Sequence, residues 1–458
     1  MSGAQHGPAG PVAAARLLRG LRPDGAPLSL PEHLALHGPL PGFGGRAGRA
    51  GLVEELERSG LRGRGGGNFP VARKLAAVAS GRGPKVVVAN GAEGEPASAK
   101  DKLLLSRAPH LVLDGLEVAA AAVGASSALV ATKAPLAPLV QAAVAERGPA
   151  RPGRLVPQVV VVPDRFLAGE SAALVDYLNG GPGLPTFVPP RPDQKGVGGR
   201  PTLVQNVETL AHTALVARYG WQWFRQVGVE EEPGTTLVTL RGALGRPGVY
   251  EVPRGTTLDQ VVALAGGLTE DVQAFLVGGY GGAWLGASQA WRSPLAETWM
   301  AALGGTLGAG IVLALPARSC GVAETARILS YLAREGAGQC GPCANGLPAM
   351  AQAMGELARG TARRDVLARL ELWAWQVSGR GACHHPDGAV RALRSALSVF
   401  APDVAAHAAH RPCATAPDAG ATSPGWPAAA AAQVRLGATR GGPAVAGTRA
   451  PRAPGGRP

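Results

Sequence analysis

Three of the five cysteines are spaced so that they could share one metal centre. Cys340 and Cys343 are separated by two residues, and Cys383 follows on a later segment. A Cys-x-x-Cys turn directs two sulfur atoms into one small volume, where a third thiolate can complete a site. The spacing is compatible with zinc bound by these cysteines plus His384 or His385, with an iron–sulfur cluster, with a dithiol redox pair, or with inert cysteines.

A glycine-rich segment before the first apolar run could bind phosphate or a flat ring. Its residues 63–67 read Gly-Arg-Gly-Gly-Gly. Glycine has no side chain, so the backbone N–H groups of this segment can approach a ligand closely. Arg64 and Lys74 could neutralise the charge of a phosphate. Because glycine makes up 67 of the 458 residues, an ordinary loop explains this segment equally well when it is taken alone.

Three polar segments are expected at the edge of the predicted sheet where a ligand could bind. They are Asn90, Glu93 and Glu95 after the apolar run 86–89, Glu170 after the run 159–162, and the cluster Asn206, Glu208 and Thr209. Ligands of open parallel sheets bind beyond the carboxyl ends of the strands. One acidic turn would be an ordinary solvated loop, but three polar segments at one expected edge favour a redox nucleotide site.

The periodicity of apolar residues predicts an α/β fold followed by a small module and a helix bundle. Strands are predicted at 86–89, 128–131 and 159–162, alternating with helices at 108–123, 135–147 and 169–179. Alternating strands and helices indicate a mostly parallel sheet. The module has strands at 235–241 and 249–252 and a helix at 257–265, and the bundle has helices at 320–335, 344–359, 362–378 and 387–401.

These patterns divide the chain into five segments. Residues 1–28 and 404–458 are rich in glycine, proline and alanine without periodicity, which predicts a disordered arm and a disordered tail. Between them we predict an α/β domain at 29–232, a small β-plus-helix domain at 233–300 and a helix-bundle domain at 301–403.

The composition argues against nucleic acid as a partner and against a membrane span. The formal charge is +13, but aromatic residues make up only 4% of the chain and do not alternate with basic clusters. We interpret the excess of arginine as a solvated basic surface. No run of about 18 uncharged apolar residues occurs, and no secretory signal pattern opens the chain. One Cys-x-x-Cys pair without other paired cysteines suits a reducing cytoplasm.

In combination, the motifs resemble the flavin- and NADH-binding subunit of respiratory complex I and its relatives in soluble hydrogenases and formate dehydrogenases. The similarity extends over about residues 45–402. It is carried by Ser59–Gly66 with Phe69, Pro70 and Lys74, by Asn90 with Glu93–Pro96 and Lys100–Asp101, by Gly169–Glu170, by Pro201–Thr202 with Asn206–Thr209, and by Cys340–Cys343 with Cys383. The resemblance implies a Rossmann-like FMN- and NAD-binding domain, a β-grasp soluble-ligand-binding domain and an iron–sulfur helix bundle.

The resemblance also implies FMN, a [4Fe–4S] cluster and NADH. The cofactor-binding residues would be Gly63, Arg64, Gly65, Gly66, Phe69, Lys74, Asn90, Glu93, Glu95, Gly169, Glu170, Asn206 and Thr209. Glu95 would contact the nicotinamide side as the catalytic residue, and Cys340, Cys343 and Cys383 would ligate the cluster in place of zinc. The implied activity is an NADH:acceptor oxidoreductase of the quinone type, in which flavin takes a hydride and passes electrons singly to the cluster.

The chain departs from the family pattern at the cluster. The family has three cysteines in the order Cys-x-x-Cys-x-x-Cys, and Ala337 stands where the first of them belongs. Cys320 is a poor replacement, because it begins a predicted helix whose ends are about 24 Å apart. The fourth iron would then be held by His384, His385, Cys413 or water.

Further departures concern the nucleotide site. Ala92 replaces a usual aspartate in the acidic loop, and Ser171 replaces a second glutamate after Glu170. Aromatic residues around the expected adenine position are few, with Leu75–Ala77 and Arg191 standing there beside Phe69.

Two other functions are compatible with these departures. A flavin and iron–sulfur relay could exchange electrons with a ferredoxin-like partner without NADH, and the basic surface suits an acidic partner. A non-catalytic scaffold could have kept the fold and lost the cluster. For the preferred function, the expected redox partner is a thioredoxin-like [2Fe–2S] protein subunit or a ferredoxin.

Overall fold

A four-stranded parallel sheet organises the first half of the chain. The computed structural model describes residues 15–43, 45–149, 155–187, 189–411 and 413. The strands of this sheet are β1 (Lys85–Gly91), β2 (Ala125–Thr132), β3 (Gln158–Val161) and β4 (Thr202–Asn206). Their order is β3-β2-β1-β4. The sequence predicted the first three strands, and the parallel α/β architecture is confirmed.

Helices cover this sheet and separate its strands along the chain. They are α1 (Leu30–His37), α2 (Gly45–Ser59), α3 (Val71–Ser80), α4 (Lys100–Arg107), α5 (Pro109–Val123), α6 (Ala137–Glu146), α7 (Ser171–Leu178) and α8 (Val207–Arg225). Helix α5 lies against α8, and Gly115 permits the contact, because a Cβ there would be 1.9 Å from the Leu210 carbonyl oxygen.

A second, mixed sheet follows. It contains β5 (Thr235–Gly242), β6 (Gly248–Pro253), β7 (Val272–Val277), β8 (Ala283–Gly286) and β9 (Ile311–Pro316), with short helices α9 (Leu258–Leu264), α10 (Ala287–Ala290) and α11 (Glu297–Ala302). The strand order is β6-β5-β9-β7-β8, and β5 pairs with β9 in parallel. The central strand β9 therefore comes from beyond residue 300, which corrects the predicted boundary of the small domain.

A helix bundle completes the described part of the chain. Its helices are α12 (Gly321–Arg334), α13 (Leu347–Ala358), α14 (Val366–Val377), α15 (His385–Val399) and α16 (Ala401–Ala408). A π-helical turn, Pro342–Gly346, leads into α13. The four predicted bundle helices are present, and no helix among the described residues is both long and apolar enough for a membrane span.

Both terminal predictions need correction where the structure describes the residues. Residues 15–28 fall in the predicted arm, yet Leu17 is only 1% exposed. The backbone N–H groups of Arg16, Leu17 and Leu18 donate to the carboxylate of Glu251 on β6. At the other end α16 continues past residue 403, where the tail was predicted. The remaining arm and tail residues, 1–14, 412 and 414–458, lie outside the described residues.

Candidate functional site

The carboxyl ends of β1 and β4 bring two asparagines side by side. Asn90 and Asn206 are direct partners in the parallel register of these strands. The chain winds from β1 towards β2 and β3 and then returns to β4 on the other side, so the two asparagines mark the point where the strand order reverses. Open α/β sheets bind ligands at such a point.

The side chains of these asparagines hold the surrounding loops. Asn90 Nδ2 donates to the Gly169 carbonyl oxygen at 2.9 Å, which ties the loop before α7 to β1. Asn206 Oδ1 accepts from the Glu208 N–H at 3.0 Å and caps α8. Glu170 caps α7 by accepting from the Ala173 N–H at 2.8 Å. Three of the predicted binding residues therefore also fix the backbone of the site.

The two glutamates of the acidic loop have different environments. Glu93 accepts from the backbone N–H groups of Asp101 and Lys102, both at 3.0 Å, and from the Ser98 hydroxyl at 2.6 Å. Its carboxylate therefore caps α4. Glu95 accepts from the Tyr280 N–H at 3.0 Å through Oε2, while its buried Oε1 has no hydrogen-bond partner among the described residues. Burial raises the pKa of Glu95 to about 7.

Beneath the acidic loop lies a charged network that the predicted set of binding residues omitted. The Lys100 ammonium contacts Asp101 Oδ1 at 2.7 Å and Glu208 Oε2 at 2.9 Å. Asn206 Nδ2 donates to Asp101 Oδ2 at 2.7 Å. Burial opposes the charge of Lys100, but the two carboxylates together raise its pKa. The signal in the sequence was the Lys100-Asp101 pair directly after the acidic loop.

The glycine-rich loop presents unpaired backbone donors. The N–H groups of Gly65, Gly66 and Gly67 form no backbone hydrogen bond with any described residue. Gly66 has φ of +100°, and a Cβ there would meet nothing closer than 3.8 Å. The loop is held from behind, since the Arg64 N–H donates to the Thr209 hydroxyl at 2.8 Å. Consecutive free N–H groups of this kind form a cradle for an anion such as phosphate.

Two basic residues of the prediction bond to backbone carbonyl groups, and of these Arg64 is buried and Lys74 is half-buried. The Arg64 guanidinium donates to the Pro233 carbonyl oxygen at 3.2 Å, and the Lys74 ammonium donates to the Val204 carbonyl oxygen on β4. Burial lowers the pKa of Arg64 to about 10 and that of Lys74 to about 8. Neither side chain lines the cleft.

One large cleft joins these features. It has a volume of about 1510 Å³. The predicted residues that line it are Gly65, Gly66, Asn90, Glu93, Glu95, Gly169, Glu170, Asn206 and Cys383. The opposite wall, which sequence analysis missed, comes from the second sheet and its loops through Gly278, Trp284, Glu297 and Gly308. Contacts between distant segments leave no local pattern, and the sequence marks these loops only by the glycines at 278–282 and 304–310.

Several residues expected around the adenine or the flavin lie outside the cleft lining. Phe69 is 53% exposed and, like Gly63, Thr209, Leu75–Ala77 and Arg191, does not line the cavity. Phe166, which was not predicted, does line it and packs against His385 with ring centroids 5.3 Å apart. Ala92 is fully buried in the core beneath β1, which explains why a methyl group is stable at this position.

The three cysteines of the motif are neighbours at the end of α12. Cys343 interacts electrostatically with Cys340 and Cys383, and its sulfur accepts the backbone N–H groups of Gly338 and Ala337. Burial raises the pKa of Cys343 to about 11 and also raises that of Cys383. In the described part of the chain, the three sulfur atoms do not all lie within 4.8 Å of one another. Ligands of one tetrahedral zinc would be about 3.8 Å apart, so this spacing does not match a single zinc ion bound by all three.

The candidates for a fourth ligand are placed differently. Cys413 lies beside Cys320, with 3.6 Å between their sulfur atoms, at the start of α12 and far from the motif. His384 has a fully exposed side chain and interacts with Asp387. His385 is buried beside Cys383, its Nε2 lies 2.8 Å from the Leu332 carbonyl oxygen, and its Nδ1 has no partner among the described residues. Of the two candidate histidines, His385 is therefore the one with a buried ring nitrogen that has no hydrogen-bond partner among the described residues.

The site fits a phosphate-bearing flavin beside an iron–sulfur cluster. The unpaired N–H groups of the loop suit the phosphate, the cleft is large enough for a flavin together with a dinucleotide, and Cys383 belongs to the same cleft. Thiolate ligands with backbone N–H donors are the donor set that iron–sulfur clusters require.

Comparisons with known proteins agree with this architecture. Residues 56–214 match the model of the Nuo51 FMN-binding domain family, residues 237–282 match the SLBB domain, and residues 323–407 match the NADH-ubiquinone oxidoreductase-F iron-sulfur binding region. A crystal structure of an NAD+-reducing [NiFe]-hydrogenase in the H2-reduced state is similar, with a TM-score of 0.74 and 29% identity. That match covers 78% of this chain and 63% of the hydrogenase chain.

Curated relatives show the same similarity along most of their length. The second F-type subunit of NADH-quinone oxidoreductase in Rhizobium meliloti is 31% identical over 378 residues, which cover 79% of this chain and 90% of the relative. The F-type subunit of the same enzyme in Escherichia coli is 29% identical, with 83% of this chain and 90% of the relative covered. The chain belongs to the family of F-type subunits of NADH-quinone oxidoreductase.

Proposed function

We propose that this chain is the NADH-oxidising flavoprotein of an electron-transfer enzyme, with FMN and an iron–sulfur cluster as its cofactors. The observation that carries the proposal is the single cleft, which contains the glycine-rich cradle, the acidic loop and Cys383. When bound there, FMN would accept a hydride from NADH and release electrons one at a time to the cluster. A cleft shared by both cofactors is what such a transfer requires.

The cradle would hold the flavin phosphate. Backbone N–H groups of Gly65, Gly66 and Gly67 point at no other described partner, and the Arg64–Thr209 bond fixes the loop from behind. Asn90 and Asn206 stand at the sheet edge, where their amide groups can contact the polar edge of the ring.

Glu95 is the proposed catalytic residue on the nicotinamide side. Its side chain belongs to the cleft lining, and one carboxylate oxygen is held by the Tyr280 backbone N–H. With a pKa near 7, the carboxyl can be neutral while a negatively charged dinucleotide binds. Its role here is to orient the carboxamide and to limit negative charge near the ligand's phosphates.

The cluster would be ligated by Cys340, Cys343 and Cys383. Backbone N–H groups from Ala337 and Gly338 donate to the Cys343 sulfur and would support the negative charge of a metal-bound thiolate, whereas burial raises the pKa of the free thiol. Ala337 itself brings no ligand, so one iron lacks the usual cysteine. The buried Nδ1 of His385 or a water molecule would complete its coordination.

The curated relatives are named as subunits of larger enzymes, so a protein partner is expected. For this chain we propose a thioredoxin-like [2Fe–2S] protein subunit or a ferredoxin as the acceptor of electrons from the cluster. The basic character of the chain suits an acidic redox partner. A cytoplasmic location stays a prediction from cysteine usage.

Cofactor content tests the proposal directly. The full chain, purified without oxygen, should contain about one FMN together with iron and acid-labile sulfide in equal amounts. Full absence of both flavin and sulfide would refute the electron-transfer function and favour the non-catalytic scaffold. Cofactors that are reduced by dithionite or a reduced ferredoxin but never by NADH would instead support the relay.

A further inference from the structure

A second set of metal-ligating side chains lies inside the helix bundle. Cys320, His407 and Cys413 are 4%, 7% and 5% exposed, and their ligand atoms all lie within 4.8 Å of one another. Cys320 stands at the N-terminus of α12, His407 lies on α16, and Cys413 follows that helix. Three separate segments therefore converge on one buried point with two sulfur atoms and one imidazole nitrogen.

The distances match the edges of a tetrahedral zinc site. The Cys320 and Cys413 sulfur atoms are 3.6 Å apart, and Cys320 Sγ is 3.4 Å from His407 Nε2. With Zn–S of about 2.3 Å and Zn–N of about 2.0 Å, tetrahedral geometry gives edges of about 3.8 Å and about 3.5 Å. We propose that Cys320, His407 and Cys413 bind a structural zinc ion, separate from the iron–sulfur cluster.

Neighbouring groups prepare these side chains for a metal. The His407 imidazole donates to the backbone carbonyl of Leu357, which leaves Nε2 with its lone pair directed at Cys320. The Cys320 sulfur accepts the Ala323 N–H at 3.4 Å, so the α12 N-terminus supports negative charge on it. On binding, two Zn–S bonds and one Zn–N bond form while the thiol protons pass to solvent. Water takes the fourth position.

The proposed zinc site is distant from the cluster cysteines. Helix α12 has 14 residues and is therefore about 21 Å long. Cys320 lies at its start, whereas Cys343 lies at its end, where its sulfur is 3.6 Å from the position of a Cβ on Gly336. The ion would fasten α16 and the segment after it to the start of α12, and so close the bundle at the end opposite the cluster.

Element-specific measurements on the full chain test this inference. The protein, purified without oxygen, is given one equivalent of zinc sulfate, desalted and analysed for zinc, iron and sulfide. We expect about one zinc per chain, with two sulfur neighbours at about 2.3 Å and one nitrogen at about 2.0 Å in zinc K-edge X-ray absorption. Cys413→Ser should weaken zinc retention at least tenfold without changing iron or sulfide content.

Two control variants separate this site from the cluster and from surface binding. His410→Asn should retain zinc, because His410 is an exposed neighbour that bonds to the Gly360 carbonyl oxygen, and asparagine tolerates its positive φ. Cys383→Ser should also retain zinc, even where it loses iron. Because Cys383→Ser affects only the proposed cluster, its zinc content tests the zinc site independently of the proposed electron-transfer function.

Three results would overturn the proposal. They are wild-type protein that does not retain zinc after desalting, zinc content that is the same in Cys413→Ser, and a Cys320–Cys413 disulfide in the anaerobic native protein, visible as a mass lower by about 2 Da. If Cys413→Ser fails to fold, the wild-type zinc content and ligand distances still decide the question.

Discussion

Replacing Gly66 with valine should abolish flavin retention while leaving the fold intact. Gly66 adopts φ of +100°, which a β-branched residue reaches only with strain of about 1–3 kcal/mol. A Cβ at this position would have room in the unliganded protein, since its nearest neighbour would be the Gly308 carbonyl carbon at 3.8 Å. It would, however, occupy the space from which the N–H groups of the glycine-rich loop reach a phosphate.

The expected loss of affinity follows from those donors. A hydrogen bond to a charged group contributes about 1.5–3 kcal/mol, so losing two of the three would cost about 3–6 kcal/mol. That corresponds to a flavin dissociation constant raised between about 10² and 10⁴ times. Reconstitution of flavin-free protein, followed by the quenching of FMN fluorescence, measures this constant.

A matched variant separates strain from loss of the cradle. Gly83 also has a positive φ, of +76°, and a Cβ there meets nothing within 4 Å, but it lies on the turn before β1 and not in the cleft. Gly83→Val should lose a comparable amount of stability and keep its flavin affinity. Wild-type FMN affinity in Gly66→Val, or equal loss in both variants, would refute the assignment of this loop.

Three further predictions concern the cluster and the dinucleotide. Cys383→Ser should lose iron and sulfide, and full iron content in this variant would refute the proposed cluster site. Ala337→Cys should suppress the [3Fe–4S]-type EPR signal that is expected after the wild-type protein is exposed to air. NADH should bleach the flavin faster than NADPH in stopped-flow experiments above pH 7, where an ionised Glu95 would repel the added 2′-phosphate, and equal rates would show that this carboxylate does not act on that phosphate. Because burial raises the pKa of Glu95 to about 7, its negative charge appears as the pH rises through 7. The KM for NADH should therefore rise between pH 6 and 8, and Glu95→Gln should flatten that profile. If the variant keeps the pH dependence of the wild type, Glu95 does not have the proposed role at the nicotinamide side.

Local patterns were sufficient to predict the sheet edge of the site. The apolar run in β1 and the polar residues after it predicted a strand with a binding loop, and the register places Asn90 beside Asn206. Strand β4 itself was missed, because its five residues carry polar and apolar side chains without a clear period. The polar cluster at its end was found nevertheless, since it marks the N-terminus of α8.

Features that depend on distant contacts could not be predicted in this way. The second wall of the cleft needs the pairing of β9 with β5, which joins segments far apart in sequence. Glu93 looked like a free carboxylate in the sequence, but the start of α4 folds back and uses its oxygens as a cap. Cys413 was predicted as a possible cluster ligand, but it follows α16 and lies beside Cys320 at the start of α12, whereas the cluster cysteines lie at the end of that helix. Sequence spacing does not reveal this placement.

An anaerobic titration with NADH tests the central claim most directly, namely that one cleft connects dinucleotide oxidation to an iron–sulfur cluster. Optical spectra and EPR of the same samples follow the flavin and the cluster separately. We predict that NADH bleaches the flavin band and produces the signal of a reduced cluster, and that Cys383→Ser keeps the first change and loses the second. Flavin that NADH fails to reduce, or a cluster that stays oxidised beside reduced flavin and is reduced by dithionite alone, would contradict it.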